Sequence, residues 1–177
     1  MAEAPARVAE TPRLALRQVT EADAAFIFDL VNQPSWLRYI GDKQVRNLDD
    51  ARAYLRNGPL AMYARHGFGL WCIERRSDGA AMGLCGLIRR EGLEHVDIGY
   101  ALLPQYWSQG YALEAAAATL LRARALGLKR VVAITSMDNG ASSRLLEKLG
   151  MKFERTTRLT PAAEELKLYA IDLQRSG

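Results

Sequence analysis

An apolar strand, a short loop and an Ala/Leu-rich helix follow one another without interruption from Gly99 to Ala115, reading Gly-Tyr-Ala-Leu-Leu-Pro-Gln-Tyr-Trp-Ser-Gln-Gly-Tyr-Ala-Leu-Glu-Ala. That succession constrains the fold more than any other stretch, because the loop must deliver Gly110 to the first turn of a helix. A helix start carries unpaired backbone N–H groups and the positive end of the dipole, so it attracts a phosphate-bearing ligand. Gly110 has no side chain to block close approach, and small Ala112 leaves similar room. No Gly-Lys-Ser/Thr follows in the loop and the chain contains no GxGxxG, which excludes the two common nucleotide-binding loops. What remains is a phosphate group held by backbone alone.

The rest of the chain supplies one core. With 177 residues, 49% of them apolar, it is long enough for a single domain, and no Gly/Ser/Pro-rich linker or repeat divides it. Residues 1–10, rich in Ala, Glu and Pro, are expected to be disordered, leaving 11–177 as the domain. Arg13 to Val19 alternates as a first strand; Thr20 caps a helix carrying Ala24, Ile27, Phe28 and Val31 on one face, stopped by Asn32-Gln33-Pro34. Asn47 opens a second helix that runs to Asn57-Gly58-Pro59, and a short helix over Ala61 to Arg65 follows.

Phe68–Glu74, Ala81–Arg89 and His95–Leu102 read as a three-stranded meander; Arg130–Thr135, Met151–Arg158 and Leu166–Leu173 as later strands; Tyr111–Leu126 and Asn139–Leu149 as helices. The pattern predicts an α+β architecture. If Asp78-Gly79 forms a two-residue turn, Ser77 pairs with Ala80 and Cys72 with Cys85, as neighbouring free thiols in the core without a catalytic part.

The mild charge excess, +4 from 24 Lys plus Arg against 20 Asp plus Glu, is spread along the chain. It suits an anionic cofactor and is too diffuse to argue for nucleic acid. Two His and two Cys make no metal set, no apolar run reaches the roughly 20 residues of a membrane span, and the N-terminus lacks a secretion signal, so a cytoplasmic protein is expected.

A pyrophosphate held by backbone after an antiparallel strand is the geometry used for coenzyme A, and here the residues become specific. Trp107-Ser108-Gln109-Gly110-Tyr111-Ala112 resembles the Arg/Gln-x-x-Gly-x-Gly/Ala loop of the GNAT N-acetyltransferases, and Gly99 to Ala115 is similar to their RimJ/RimL type. Trp107 departs from Arg/Gln, and Ser108 stands where that branch often has Gly. A second segment, Asn139-Gly140-Ala141-Ser142 leading to Glu147-Lys148-Leu149-Gly150, is similar to the family's Asn-x-x-Ser helix.

The resemblance implies a GNAT fold, a central mixed and mostly antiparallel sheet of six to seven strands flanked by helices. It also implies acetyl-CoA as cosubstrate and an amine acceptor, protein N-terminus or small molecule, attacked directly; a homodimer stays open. Gln109, Gly110, Tyr111, Ala112 and Leu113 would hold the pyrophosphate, Leu102 or Leu103 would polarise the thioester carbonyl, and Asn139 would bind the CoA arm. Ser142 would face the sulfur as proton donor.

Asn139 and Ser142 are equally good helix-start residues, so capping is the alternative for both. For the base, Asp97 is the leading candidate and Glu94 the second; either could simply be polar strand surface. Tyr100 and Tyr106 flank the site as further donors or as packing aromatics, and Tyr106 is taken into the catalytic set. Glu114 is read as a dipole-matched helix acid without a chemical role. Trp36, Leu37 and Tyr39 lie where relatives shape the acceptor pocket. A non-catalytic acyl-CoA-binding regulator is the competing reading.

Overall fold

The alternating and apolar runs form eight strands of one sheet in the computed structural model, which describes residues 4–173. In chain order these are β1 (Arg7–Glu10), β2 (Leu14–Arg17), β3 (Leu70–Arg75), β4 (Ala81–Ile88), β5 (Asp97–Leu102), β6 (Arg130–Ser136), β7 (Lys152–Thr157) and β8 (Leu166–Asp172). They lie in the order β1-β2-β3-β4-β5-β6-β8-β7. Every neighbouring pair is antiparallel except β5 with β6. The eighth strand, one more than expected, is β1. It corrects the expected disorder of residues 1–10 at Arg7–Glu10; residues 1–3 lie outside the described residues. The open edge of β2 offers it a ladder, joined at the Gln18 N–H to the Ala6 carbonyl (2.8 Å), while Val8 and Ala9 pack on the core.

Helices cover both faces. Here α1 is Ala24–Val31, α2 Pro34–Tyr39, α3 Leu48–Leu55, α4 Ala61–His66, α5 Tyr111–Ala125 and α6 Gly140–Lys148. Alternation along the strands sorts the side chains: Trp71, Ile73, Ile98 and Leu102 pack with α5 and α6, whereas Cys72, Leu84, Leu103 and Ala101 face α1, α2 and α3. The Thr20 capping box with Asp23 forms as expected. In α1, Leu30 rather than Phe28 completes the buried face; Phe28 is an exposed large hydrophobic. Pro34 ends one helix and occupies the first turn of the next, so α2 was hidden behind a stop signal. Between α3 and α4 the chain does not break at Pro59 but continues as a π-helical turn over Arg56–Leu60. Among the described residues no helix is long and apolar enough to cross a membrane.

The hairpin register differs from the expected one. Cys85 pairs with Trp71 and Cys72 with Leu84, so the two thiols lie on opposite faces of the sheet. A two-residue type I′ turn needs positive φ at both central residues, and Asp78 does not adopt it; Gly79 alone does (φ +74°). The loop is instead four residues, closed by the Arg75 N–H on the Ala80 carbonyl (2.9 Å), and an irregularity after Ile73 moves the register again. Both thiols are fully buried, and burial pushes each up to about 12, against the opposing pull of Arg17 on Cys72 and Thr119 on Cys85. A disulfide reagent at pH 8 should therefore label neither cysteine in the folded protein and both in denaturant. Fast labelling of the native protein would show that this placement is wrong.

Candidate active site

Parallel pairing of β5 with β6 is confined to Asp97 opposite Val132, fastened by the Val132 N–H on the Val96 carbonyl (3.0 Å). Beyond that point no ladder joins the strands, which part and leave a gap between Ile98–Leu102 and Ala133–Ser136. Residues on β5 alternate between β4 and this gap. The Leu103 amide is already donated to Met82 (2.9 Å), which leaves Leu102 as the backbone N–H turned to the gap. The Leu102 carbonyl accepts the Trp107 indole N–H (2.9 Å). The residue that departs from Arg/Gln thus braces the loop.

That loop carries the strain the helix start needs. Ser108 (φ +61°) and Gly110 (φ +82°) are both left-handed, so Ser108 occupies a backbone position that glycine would adopt more cheaply. Gly110 is the N-cap of α5 and provides no side-chain cap; the Glu114 N–H on the Gly110 carbonyl (3.1 Å) is the first backbone bond. The N–H groups of Tyr111, Ala112 and Leu113 precede it and have no carbonyl within the helix. The Tyr111 ring turns into the core, Ala112 and Leu113 are half-buried, and the Gln109 side chain reaches back to Gln105 (3.2 Å).

A residue that the sequence reading placed only on the first strand completes this corner. Arg13, immediately before β2, donates to the Gln109 carbonyl (2.9 Å) and to Glu114 Oε1 (2.8 Å), and lies over the Tyr111 ring (4.4 Å). Glu114 also accepts the Arg13 backbone N–H (3.1 Å) and the Thr11 hydroxyl. Burial raises the Glu114 carboxyl, but those hydrogen bonds outweigh it and leave the group below its ordinary range. The acid set aside as a dipole match therefore anchors a guanidinium beside the amides of the first helical turn. A separation of about a hundred residues leaves no local signal for this contact.

On the α5/α6 side of the gap, the Tyr100 hydroxyl lies 2.8 Å from Ser142 Oγ. Asn139 caps α6, its Oδ1 accepting the Ser142 N–H (3.2 Å), so the capping alternative is realised and its amide NH2 remains for a ligand. Burial pushes the Tyr100 phenol up to about 12, against the Ser142 hydrogen bond. Tyr106 lies elsewhere, on a 3₁₀ turn (Pro104–Tyr106) with the Arg75 guanidinium over its ring (5.4 Å). Among the described residues it makes no hydrogen bond to Ser142. The structure therefore pairs Ser142 with Tyr100 rather than with Tyr106.

Asp97 shares the opposite face with Ala101, toward α1–α3. It is 1% exposed, Oδ2 lies a long 3.5 Å from Arg90 Nη2, and Oδ1 has no partner. Burial pushes its carboxyl up to about 6, with Arg90 pulling the other way. Glu94 sits before the strand with its side chain in solvent, 4.0 Å from His95, and joins none of these groups. A carboxylate lies on one side of the gap, a hydroxyl pair on the other, and a row of amides with a guanidinium at its end.

The family model described as Acetyltransferase (GNAT) domain matches residues 13–152. The uncharacterized N-acetyltransferase YoaA of Bacillus subtilis is 32% identical over 85% of this chain and 86% of its own. An acetyltransferase of Salmonella typhimurium that modifies the N-terminal serine of a 50S ribosomal subunit protein superposes with a TM-score of 0.80. It is 17% identical, over 96% of this chain and all of that one. The microcin self-immunity acetyltransferase MccE, solved in complex with acetyl-CoA and AMP, superposes at 0.75 with 16% identity, over 92% of this chain and 93% of that one.

Proposed function

Because this chain belongs to the GNAT acetyltransferase family and is an acetyl-CoA-dependent acyltransferase, we propose that it acetylates a primary amine by direct attack across the β5–β6 gap. The observation that carries this reading is the separation of the two kinds of group, Asp97 on one side of the gap and Tyr100 with Ser142 on the other. An amine entering from the Asp97 side and a sulfur departing toward Ser142 need no rearrangement between the two events. The residues fit the cosubstrate: exposed amides at Tyr111 to Leu113 suit a pyrophosphate, Arg13 adds a cation beside it, and the Asn139 amide can hold the arm. The reaction draws on acetyl-CoA in the cytoplasm.

Each group then has one task. The Leu102 N–H polarises the thioester carbonyl and stabilises the oxyanion. As the C–N bond forms, the ammonium proton passes to Asp97, which at pH 7 is mostly ionised with its raised value of about 6. As the C–S bond breaks, the Tyr100–Ser142 pair donates a hydrogen bond to the thiolate. A phenol near 12 is a weaker acid than an ordinary thiol near 8.5, so the pair stabilises the thiolate without surrendering its proton.

Ser142→Ala should lower kcat on the order of 100-fold while CoA affinity changes little, since the bond matters mainly in the transition state. Tyr100→Phe should lower kcat in the same direction. Steady-state kinetics with acetyl-CoA and an amine panel, alongside CoA titration, measure both. Full turnover in these two variants with loss in Tyr106→Phe would move the donor role back to Tyr106.

A further inference from the structure

Asp97 stands where the strands part, yet it is 1% exposed, so an amine reaches its carboxyl only after some group yields. The charged group in contact with it is Arg90, whose Nη2 lies 3.5 Å from Oδ2. A well-formed arginine–carboxylate pair uses two parallel bonds of about 2.7–2.9 Å. This pair has a single long contact, and Arg90 Nε and Asp97 Oδ1 are both buried without a partner among the described residues. Leaving buried polar atoms unpaired is costly, so the pair is under-satisfied as it stands. The Arg90 side chain is 33% exposed and already borders solvent, whereas the carboxyl does not.

The looseness is confined to the side chain. Ile88 pairs with Asp97 across β4 and β5, and Arg90 follows two residues later in the connection over 89–96. That connection is fixed at several points. The Arg89 guanidinium donates to the Glu94 carbonyl (2.9 Å), and the Leu93 N–H to the Arg90 carbonyl (3.4 Å). Gly92 passes so close to the Leu159 carbonyl that a Cβ there would collide with it, and Leu93 is buried with Val132, Leu168 and Ala170. A backbone held this firmly keeps the guanidinium beside Asp97 without a good hydrogen bond to retain it.

We propose that Arg90 is a placeholder for the acceptor's ammonium: it covers Asp97 in the free enzyme and gives way, cation for cation, when the amine arrives. The inference rests on the acetyl-transfer reading with Asp97 as base, and adds a positioning residue to it. An ammonium carries three N–H donors on a compact head, enough to serve both carboxylate oxygens. Displacing the guanidinium sacrifices only one long contact. No covalent bond changes in the exchange, and the proton passes from the ammonium to Asp97 later, as the C–N bond forms. The apolar Ile88 and Val132 flank Asp97 across the two ladders. The other titratable groups near the pair are Lys43 and Tyr54, on which the Arg90 charge acts, and His95, two residues before Asp97 and 4.0 Å from Glu94.

Profiles of kcat/KM against pH, with acetyl-CoA and the best amine of a panel, test this in the parent, Arg90→Gln and Arg90→Lys. Removing the cation should move the limb expected at about 6 upward by at least about one pH unit, while Arg90→Lys, which keeps the charge, should hold it near the parent's. Lys43→Gln and His95→Gln should leave the limb in place. At a pH above both limbs, KM for the amine in Arg90→Gln should fall about threefold or more, because no cation has to be displaced. Circular dichroism checks folding, and Arg90→Met, which keeps the packing of the stem, is the second neutral variant. An unmoved limb, or an unchanged or raised KM in the folded neutral variant, overturns the placeholder while leaving acetyl transfer standing. A limb abolished by Lys43→Gln or His95→Gln also overturns it, since the titrating group is then not Asp97. If no amine is acetylated although acetyl-CoA binds, the acetyl-transfer reading falls and the placeholder falls with it.

Discussion

Asp97→Asn protein should lose on the order of 100-fold or more in kcat and, above pH 7, should be more stable to heat than the parent. The two outcomes have one cause. The parent carboxyl is buried with a value of about 6, above the ordinary 3.8, so burial works against its charged form. The folded state therefore holds this proton more tightly than the unfolded chain. Its stabilising contribution is complete below about 3.8 and is lost as pH rises through about 6. The loss is on the order of 3 kcal/mol for a shift of this size, a sizeable part of a typical domain's stability.

Denaturant melts of both proteins at pH 5 and pH 8 should show the parent losing ground to Asp97→Asn across that interval. The kinetics should mirror it: kcat/KM of the parent rises with pH through about 6 and levels, and this limb is absent in the variant. A parent and variant that respond alike to pH in both measurements would remove Asp97 as the base.

Gly110→Val should reduce CoA affinity at least 100-fold in calorimetric titration, with the fold retained by circular dichroism. The reason is conformational before it is steric. Gly110 holds φ +82°, which a β-branched residue resists, so the loop must shift the amides of Tyr111 to Leu113 away from their common direction. An added Cβ would meet only the Arg13 Nη2 atom, at 3.2 Å, the far end of a flexible side chain. Gly110→Ala should therefore fall between the two, while Gln109→Ala should do little because its backbone alone is used. Equal CoA affinity in the parent and Gly110→Val would place the pyrophosphate elsewhere.

What could be read along the chain was whatever depends on neighbours in sequence. Apolar and alternating runs marked seven of the eight strands, and the strand–loop–helix succession around Gly110 raised the expectation of a backbone phosphate site before any tertiary contact was known. Asn139 and Ser142 were legible for the same reason, since a helix start is a local structure with a local residue pattern. Where the chain obeyed a competing rule, reading failed. Pro34 signals both a stop and a start; Asp78-Gly79 suits several turns, and a single-residue difference in register moved Cys72 to the face opposite Cys85.

Only the tertiary structure could decide the rest, because it concerns which distant groups share a space. Ser142 meets Tyr100 and not Tyr106 because β5 presents Tyr100 to the α5/α6 layer, whereas Tyr106 leaves the strand on its own turn. Glu114 became an anchor once β2 brought Arg13 across to it. The raised value of Asp97 comes from its burial between layers with one loose cationic neighbour, a property of packing that no spacing of residues encodes.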